Sequence, residues 1–132
     1  MSRFATGRYA CYRLKTAGRV GRMGTETMVV LTTCGTAEDA GNLARLLVER
    51  RLAACVNVVA DVASTYRWQG RVQQDREALL IIKTTASRLT ELTTAIQAES
   101  KYELPEVIAL PVQAGSVPYL MWLRESVAEL KD

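Results

Sequence analysis

The feature that most constrains the fold is a pair of long strand-like segments joined by one tight turn. Residues 54–68 and 71–85 are largely apolar or alternating, and Gly70 lies between them in 68-WQGR-71, which predicts a β-hairpin. Strands of about 14 residues, at about 3.3 Å each, extend roughly 45 Å. A domain of about 100 residues has a radius of gyration near 13 Å, so the hairpin is longer than its own globule.

Such a hairpin leaves long rows of unpaired backbone N–H and C=O groups along its edges. Single domains usually avoid exposed edges of this length, because they pair with other chains. We therefore expect a partner subunit to pair with or cover the hairpin strands.

The first half of the chain adds a strand and a helix ahead of the hairpin. Residues 28–33 are apolar and β-branched, which predicts a strand. Thr36 is a candidate N-cap, with acidic residues in the first turn, where the helix dipole favours them. One helical stripe follows, formed by Ala40, Leu43, Ala44 and Leu47.

The second half repeats the pattern and adds a terminal helix. A helix over 87–99, with Ser87 as its candidate cap, precedes a strand over 106–113. A last helix begins around Pro118, and its apolar stripe is Leu120, Leu123, Val127 and Leu130. The order β-α-β-β-α-β-α predicts an α+β fold, a ferredoxin-like sandwich with an added C-terminal helix and a long protruding hairpin between its second and third strands.

Charge separates the chain into two parts. Residues 1–22 carry six basic residues and no acidic one, whereas the other 110 residues carry 11 basic and 14 acidic ones, a net charge of −3. We interpret 1–26 as a flexible basic extension and 27–132 as the folded domain. The extension has too few aromatic side chains to stack on bases, which disfavours nucleic-acid binding.

Composition excludes several classes of function. The chain has no histidine, the commonest metal ligand and general base, so zinc hydrolase chemistry and His-dependent triads in their usual forms are excluded. Three widely spaced cysteines argue against a disulfide framework and predict a reducing compartment, the cytoplasm. Apolar runs are far shorter than a membrane span of roughly 18 residues, so no membrane insertion is expected.

Five blocks of this chain resemble the CutA divalent-cation tolerance proteins, in the same order and at the same spacing. They are 52-LAACVNV-58, 66-YRWQG-70, 77-EALLIIKT-84, 102-YELPEVIALPV-112 and 119-YLMWL-123. The resemblance implies a ferredoxin-like protomer and a homotrimer whose hairpins pack around the threefold axis, similar in architecture to PII signalling proteins. It also implies a link to copper tolerance and copper binding, with no firm catalytic activity.

The resemblance further implies a metal-ligand set that this chain retains only in part. The family's glutamate matches Glu106, but its cysteine position falls on Thr32, two residues before Cys34, and its histidine region reads 98-AESKY-102. Cys34 and Glu106 are therefore the candidate metal ligands, for copper or another divalent cation. The alternative is that Cys34 packs as a small hydrophobic residue. No cofactor is required by this interpretation.

The polar and aromatic members of the matching blocks are the candidates for a pocket between subunits. They are Tyr66, Trp68, Glu77, Lys83, Tyr102, Glu103, Glu106 and Trp122. An unpaired ammonium at the end of an apolar strand is costly, so we expect Lys83 to pair with Glu77 or Glu103. Trp68 and Trp122 are expected to form trimer contacts.

The sequence therefore predicts a non-catalytic CutA-like homotrimer with a scaffold or ligand-sensing role in the response to divalent metal ions. Glu103 and Glu106 form a carboxylate pair, but no nucleophile or cofactor loop accompanies them, so we expect no enzyme. The alternative function is a PII-like sensor that binds a small anionic metabolite between subunits.

Overall fold

The computed structural model describes residues 20–21 and 26–130 of the chain. The predicted extension, residues 1–26, thus lies outside the described residues except for Val20, Gly21 and Glu26. Its boundary with the domain at 27–132 stays a prediction.

The secondary-structure elements follow the predicted ferredoxin-like order. They are β1 (Val20–Gly21), β2 (Thr27–Cys34), α1 (Ala37–Glu49), β3 (Cys55–Trp68), β4 (Arg71–Thr85), a 3₁₀ turn (Ala86–Arg88), α2 (Leu89–Glu99), β5 (Ile108–Pro111), β6 (Gly115–Ser116) and α3 (Val117–Ser126). The four longer strands and the first two helices give β-α-β-β-α-β, and α3 is the added C-terminal helix. Within the described residues, no helix combines the length and the apolar character that crossing a bilayer requires.

The four longer strands form one antiparallel sheet in the order β3-β4-β2-β5. β2 pairs with β4 on one side and with β5 on the other, so β4 separates β2 from β3. This interleaving of two β-α-β halves is what defines the ferredoxin-like fold. A separate two-stranded ribbon joins β1 to β6.

Helices α1 and α2 cover one face of the sheet and form the main core with it. Ala78, Leu80 and Ile82 of β4 are buried because alternate side chains of a strand point to the same face. They belong to one cluster with four large side chains of the helices, Leu43, Leu47, Leu92 and Ile96. Burial of each such side chain contributes about 1.5–3 kcal/mol. A smaller cluster joins α3 to Ala54 through Leu123 and Val127.

The predicted helix ends agree with the structure at one position, Thr36, and differ from it at two, Ser87 and Leu130. The Thr36 hydroxyl accepts a hydrogen bond from the Asp39 N–H at 3.1 Å, which confirms the predicted N-cap. Ser87 is not a cap: it lies inside the 3₁₀ turn, and its hydroxyl pairs with that of Thr85 at 3.0 Å. Leu130 is 72% exposed, because α3 ends at Ser126 and the buried stripe stops at Val127.

The long hairpin is confirmed. β3 has 14 residues and β4 has 15, and Trp68 pairs with Arg71 across the tip. Gln69 and Gly70 have φ values of 50° and 77°. Positive φ at both central positions is typical of a type I′ turn, whose twist matches that of the two strands. The hairpin therefore stays paired up to its last residues.

A β-bulge changes the direction of the side chains half-way along β3. Val59 pairs with Leu79 and Val62 with Glu77, so two residues of β3 lie opposite one residue of β4. Paired residues in an antiparallel sheet share a face, so Val62, Tyr66 and Trp68 lie on the same face as Glu77. A strand without the extra residue would direct them to the helix side.

The sheet face opposite α1 and α2 is apolar, and we call it the open face. On β2, β4 and β5, strand pairing places six aliphatic side chains on it: Val29, Leu31, Leu79, Ile81, Ile108 and Leu110. All six lie outside the buried core of the described residues, and Ile108 and Leu110 are 49% and 48% exposed. A contiguous apolar surface of this kind usually marks an interaction site.

Two glycines give opposite predictions for stability. Gly41 lies inside α1, and a Cβ there would meet no atom within 4 Å, so Gly41→Ala should raise the free energy of unfolding by up to about 1 kcal/mol. Gly70 has a φ of 77°, so Gly70→Ala should lower it by about 1–2 kcal/mol. Thermal denaturation at equal protein concentration measures both, and shifts of the same sign would contradict this assignment.

Candidate functional site

A groove of about 740 Å³ lies where the hairpin leaves the body of the domain. Six of the eight predicted pocket residues line it: Tyr66, Trp68, Glu77, Tyr102, Glu103 and Glu106. We call it the hairpin groove. Tyr66 and Trp68 reach it because of the bulge in β3, and the other wall is the loop between α2 and β5. The structure thus brings together residues that are up to 40 positions apart in the sequence.

Tyr102 connects the two walls of the hairpin groove. Ser100 ends α2 with an extended backbone, and its hydroxyl accepts a hydrogen bond from the Tyr102 N–H at 3.1 Å. The Tyr102 hydroxyl donates to Glu77 Oε1 at 2.8 Å. Burial, together with this hydrogen bond and the nearby Glu77 charge, raises the pKa of Tyr102 well above its ordinary value. The phenol therefore stays protonated, and able to donate to Glu77, up to a higher pH than an ordinary tyrosine.

A second tyrosine–carboxylate pair lies nearer the tip of the hairpin. The Tyr66 hydroxyl donates to Asp75 Oδ2 across the two strands. This hydrogen bond raises the pKa of Tyr66, and burial and the Asp75 charge add to the effect. Both tyrosine rings are thus fixed by their hydroxyl groups.

A second groove of about 560 Å³ adjoins the first and shares Thr33, Lys101 and Tyr102 with it. It lies between the start of α1 and the end of α2, and Cys34 and Asp39 line it. The Lys101 ammonium binds both carboxylate oxygens of Asp39, at 3.0 and 3.1 Å. This hydrogen bonding lowers the pKa of Asp39. Lys101 therefore links the loop after α2 to the first turn of α1.

The two predicted metal ligands line different grooves. Cys34 lines the second groove and Glu106 the hairpin groove. Partial burial raises the pKa of the Cys34 thiol, and the carboxylates of Asp39 and Glu77 raise it further, which disfavours the thiolate that a metal would need. Within the part of the chain that the structure describes, no three Cys, Asp or Glu side chains converge as metal ligands. These donors therefore do not fit a tight copper site, and the pair stays a prediction.

Lys83 does not have the predicted carboxylate partner. Its ammonium donates to Asn57 Oδ1, and Cys55 Sγ lies 3.9 Å away. Strand pairing places Lys83 on the open face between Val29 and Cys55, outside the residues that line the hairpin groove. The expected pairing with Glu77 or Glu103 was wrong, because Glu77 lies six residues along β4 and already accepts from Tyr102.

Trp122 also lies away from the hairpin groove. It is half-buried on α3, its ring centroid is 5.3 Å from that of Tyr119, and it packs against the small cluster of Leu123 and Val127. Its predicted contact with another subunit stays a prediction.

Sequence reasoning missed several residues that line the hairpin groove, among them Arg67 and Leu104. Arg67 belongs to the block 66-YRWQG-70, but alternation alone places it on the opposite face from its neighbours. Leu104 is strongly exposed although it is apolar, and its position between Glu103 and a proline gave no periodic signal. The exposure of Leu104 and its position beside the groove are seen only in the structure.

Comparison with known proteins identifies the family. The model of the family described as CutA1 divalent ion tolerance protein matches residues 28–126. The chain belongs to the CutA family. CutA of Thermus thermophilus, which is named a divalent-cation tolerance protein, is 48% identical over 98 residues, 74% of this chain and 95% of that protein. Human protein CutA is 43% identical over 100 residues, 76% of this chain and 56% of that protein. The chain thus spans just over half the length of the human CutA relative.

Solved CutA structures share the fold. CutA from Synechococcus elongatus superposes with a TM-score of 0.79 at 36% identity, covering 84% of this chain and 97% of that one. The Thermus thermophilus CutA1 structure gives 0.76 at 46% identity, covering 77% and 99%. The resemblance in five short blocks of sequence is thereby confirmed over residues 28–126.

Because of its burial and its hydrogen bond to Glu77, the Tyr102 phenol should ionise at a higher pH than an ordinary tyrosine. Because the pKa of Tyr102 is raised above the ordinary value of about 10, the folded state favours the neutral phenol, and the stability gained below pH 10 is lost as the pH rises above it. Tyrosinate absorbance near 295 nm should show a late step that Tyr102→Phe abolishes and Glu77→Gln moves to lower pH. Identical titration curves for all three proteins would contradict the role of this bond.

Proposed function

We propose that this CutA protein acts as a cytoplasmic, non-catalytic homotrimer in the tolerance of divalent cations such as copper, as a scaffold or ligand sensor. The observation that carries the proposal is the open face, which leaves six aliphatic side chains partly exposed on one protomer. Further copies of the chain, related by the threefold axis that the family resemblance implies, would cover this surface.

The outer edge of the hairpin supports the same assembly. β3 lies at the edge of the sheet, so one side of its 14 residues carries backbone groups without a strand partner among the described residues. Such an edge pairs readily with another chain, and a closed ring of identical subunits satisfies every edge in the same way. A symmetric oligomer would therefore cover the apolar open face and also provide partners for the unpaired backbone groups of β3.

The hairpin groove gives this assembly a candidate place for a ligand, close to the bare edge. Its lining contains three aromatic rings and three carboxylates. The carboxylates argue against the alternative of a small anionic metabolite, because like charges disfavour binding by several kcal/mol when desolvated. The family description as a tolerance protein supports a role in binding rather than in catalysis.

The proposed role in divalent-cation tolerance does not require a tight metal site at Cys34 and Glu106. The two residues line separate grooves, and copper prefers thiolate or imidazole ligands. The contribution of these residues to metal binding is at most a weak contact, and no cofactor is required.

Leu110→Glu tests the assembly. Leu110 is 48% exposed on a single protomer, so the charge costs little in one chain but would be buried without a partner in the oligomer. Light scattering at micromolar concentration should give three times the chain mass of 14.6 kDa for the native protein, and a lower mass for the variant. The matched control is Val48→Glu on α1, where Val48 is 42% exposed on the other side of the sheet.

The proposal fails if the native protein is a stable single chain, or if Leu110→Glu keeps the full mass. Circular dichroism on the same samples separates dissociation from unfolding.

Metal titration tests the statement about Cys34 and Glu106. Isothermal titration of Cu(II) and Zn(II) into the native protein, Cys34→Ala and Glu106→Gln should give the same affinities within about twofold, since neither residue completes a ligand set. Loss of a stoichiometric site in either variant would show that the two grooves cooperate in holding a metal ion.

A further inference from the structure

Arg51 has a backbone conformation that residues with a side chain rarely adopt. Its φ is 58°, in the left-handed region, just after the end of α1. The Arg51 N–H donates to the Val48 carbonyl at 3.0 Å. The Leu52 N–H donates to the Leu47 carbonyl at 2.9 Å, and the two bonds together form the Schellman pattern of helix ends. Glycine is the usual residue here because a Cβ strains this conformation, so an arginine calls for a contact that glycine could not make.

The Arg51 side chain makes such a contact with the end of α3. Its Nε donates to the Ala128 carbonyl at 3.3 Å, and its Nη2 to the Glu125 carbonyl at 3.5 Å. The last carbonyls of a helix have no partner within the helix, and a cation at that end interacts favourably with the helix dipole. Arg51 thus acts on two helices at once, because its backbone ends α1 and its side chain caps α3.

A second arginine, Arg88, reaches the same turn from the 3₁₀ turn before α2. Only 8% of Arg88 is exposed, and its Nε donates to the Val127 carbonyl at 2.8 Å. Its Nη1 lies 3.4 Å from Glu91 Oε1 and 3.6 Å from Glu129 Oε1. A buried guanidinium is costly without partners of this kind. Arg51 and Arg88 therefore hold the C-terminal turn of α3 together, and we call them the arginine clamp.

Apolar packing holds α3 less firmly than it holds α1 and α2. Among the described residues, the main core cluster contains side chains of α1, α2 and the sheet, and none of α3. Leu123 and Val127 pack in the separate small cluster with Ala54. Elements with few buried apolar contacts open more readily than the rest of a domain. The arginine clamp is therefore a substantial part of what keeps α3 in place.

The arginine clamp is separate from the surface through which we propose that the chains assemble. α1 and α2 cover one face of the sheet, and both arginines extend from the ends of this helical layer. The proposed oligomer covers the opposite, open face. The clamp thus joins elements of one protomer without using the surface that further copies would cover.

We propose that α3 is a latch that opens and closes as a unit, and that Arg51 couples its docking to the end of α1. While α3 is docked, its carbonyls hold the Arg51 side chain and stabilise the left-handed backbone. When α3 leaves, Arg51 keeps the backbone strain and loses the contact that offset it, so the end of α1 loosens as well. This coupling goes beyond the proposed function and does not depend on the oligomer.

Native-state hydrogen exchange of the full-length protein, followed residue by residue by NMR, tests the latch. Amides of α3 should exchange at least about tenfold faster than those of β4, because α3 opens without unfolding of the sheet. Arg51→Gly removes the clamp and relieves the strain, so α3 should exchange about threefold or more faster, while amides 51 and 52 keep their protection. Arg51→Ala removes the clamp and keeps the strain, so both regions should exchange faster.

The matched control is Arg50→Ala. Arg50 is exposed, has an ordinary φ of −81° and carries the same charge one residue earlier. This variant should change exchange in α3 by less than about 1.5-fold, since exposed charges contribute little. If Arg51 only ends α1, Arg51→Gly would slow exchange in α3 or leave it unchanged, and that result would overturn the proposal. Equal acceleration in Arg50→Ala would also overturn it, because it would show a general effect of charge.

Trp122 gives an independent measurement because it lies on α3. Trp68 and Trp122 are the two tryptophans of the chain, so Trp68→Phe leaves a single fluorophore on the latch. In urea, its emission should shift to longer wavelength before the circular dichroism of the sheet is lost. Arg51→Gly in this background should move only the fluorescence transition to lower urea concentration. Coincident transitions in both proteins would show that α3 leaves only when the whole domain unfolds, and would reject the latch.

Discussion

The alternation of side chains along β4 is the constraint on which the rest of the structure depends. Even-numbered positions such as Leu80 and Ile82 are buried under α1 and α2, while odd-numbered positions such as Leu79 and Ile81 form the open face. One strand that is apolar on both faces specifies a sheet with two buried sides. Among the described residues, α1 and α2 cover one of these sides, and we expect further copies of the chain to cover the apolar part of the other.

Much of this fold is predictable because its signals are local. The N-cap at Thr36, the Gly70 turn and the stripe of Leu43 and Leu47 each arise from interactions within a few residues. Leu130 shows the limit of that reasoning: its spacing continues the stripe of α3, but the helix ends at Ser126. Periodicity gives the face of a residue and does not give the place where a helix stops.

Most residues of the candidate site could be predicted from the sequence, but their arrangement in space could not. Six of the eight predicted pocket residues line one groove, yet Lys83 and Trp122 lie elsewhere. The bulge in β3 decides which side chains of the hairpin face the groove, and the sequence around Asp61 marks it only by a weak break in alternation. Cys34 and Glu106 likewise line separate grooves, although Lys101 and Tyr102 line both. Local patterns in the sequence do not reveal which residues far apart in the chain come into contact.

The bulge has a consequence for how this chain tolerates insertions and deletions. Residues 62–68 owe their orientation to the number of residues that precede them on β3, and not only to their own identities. Losing one residue near Ala60 would preserve nearly every amino acid of the hairpin, yet exchange its inner and outer surfaces from there to the tip. Selection on this hairpin therefore acts on the length of β3 as well as on its individual side chains.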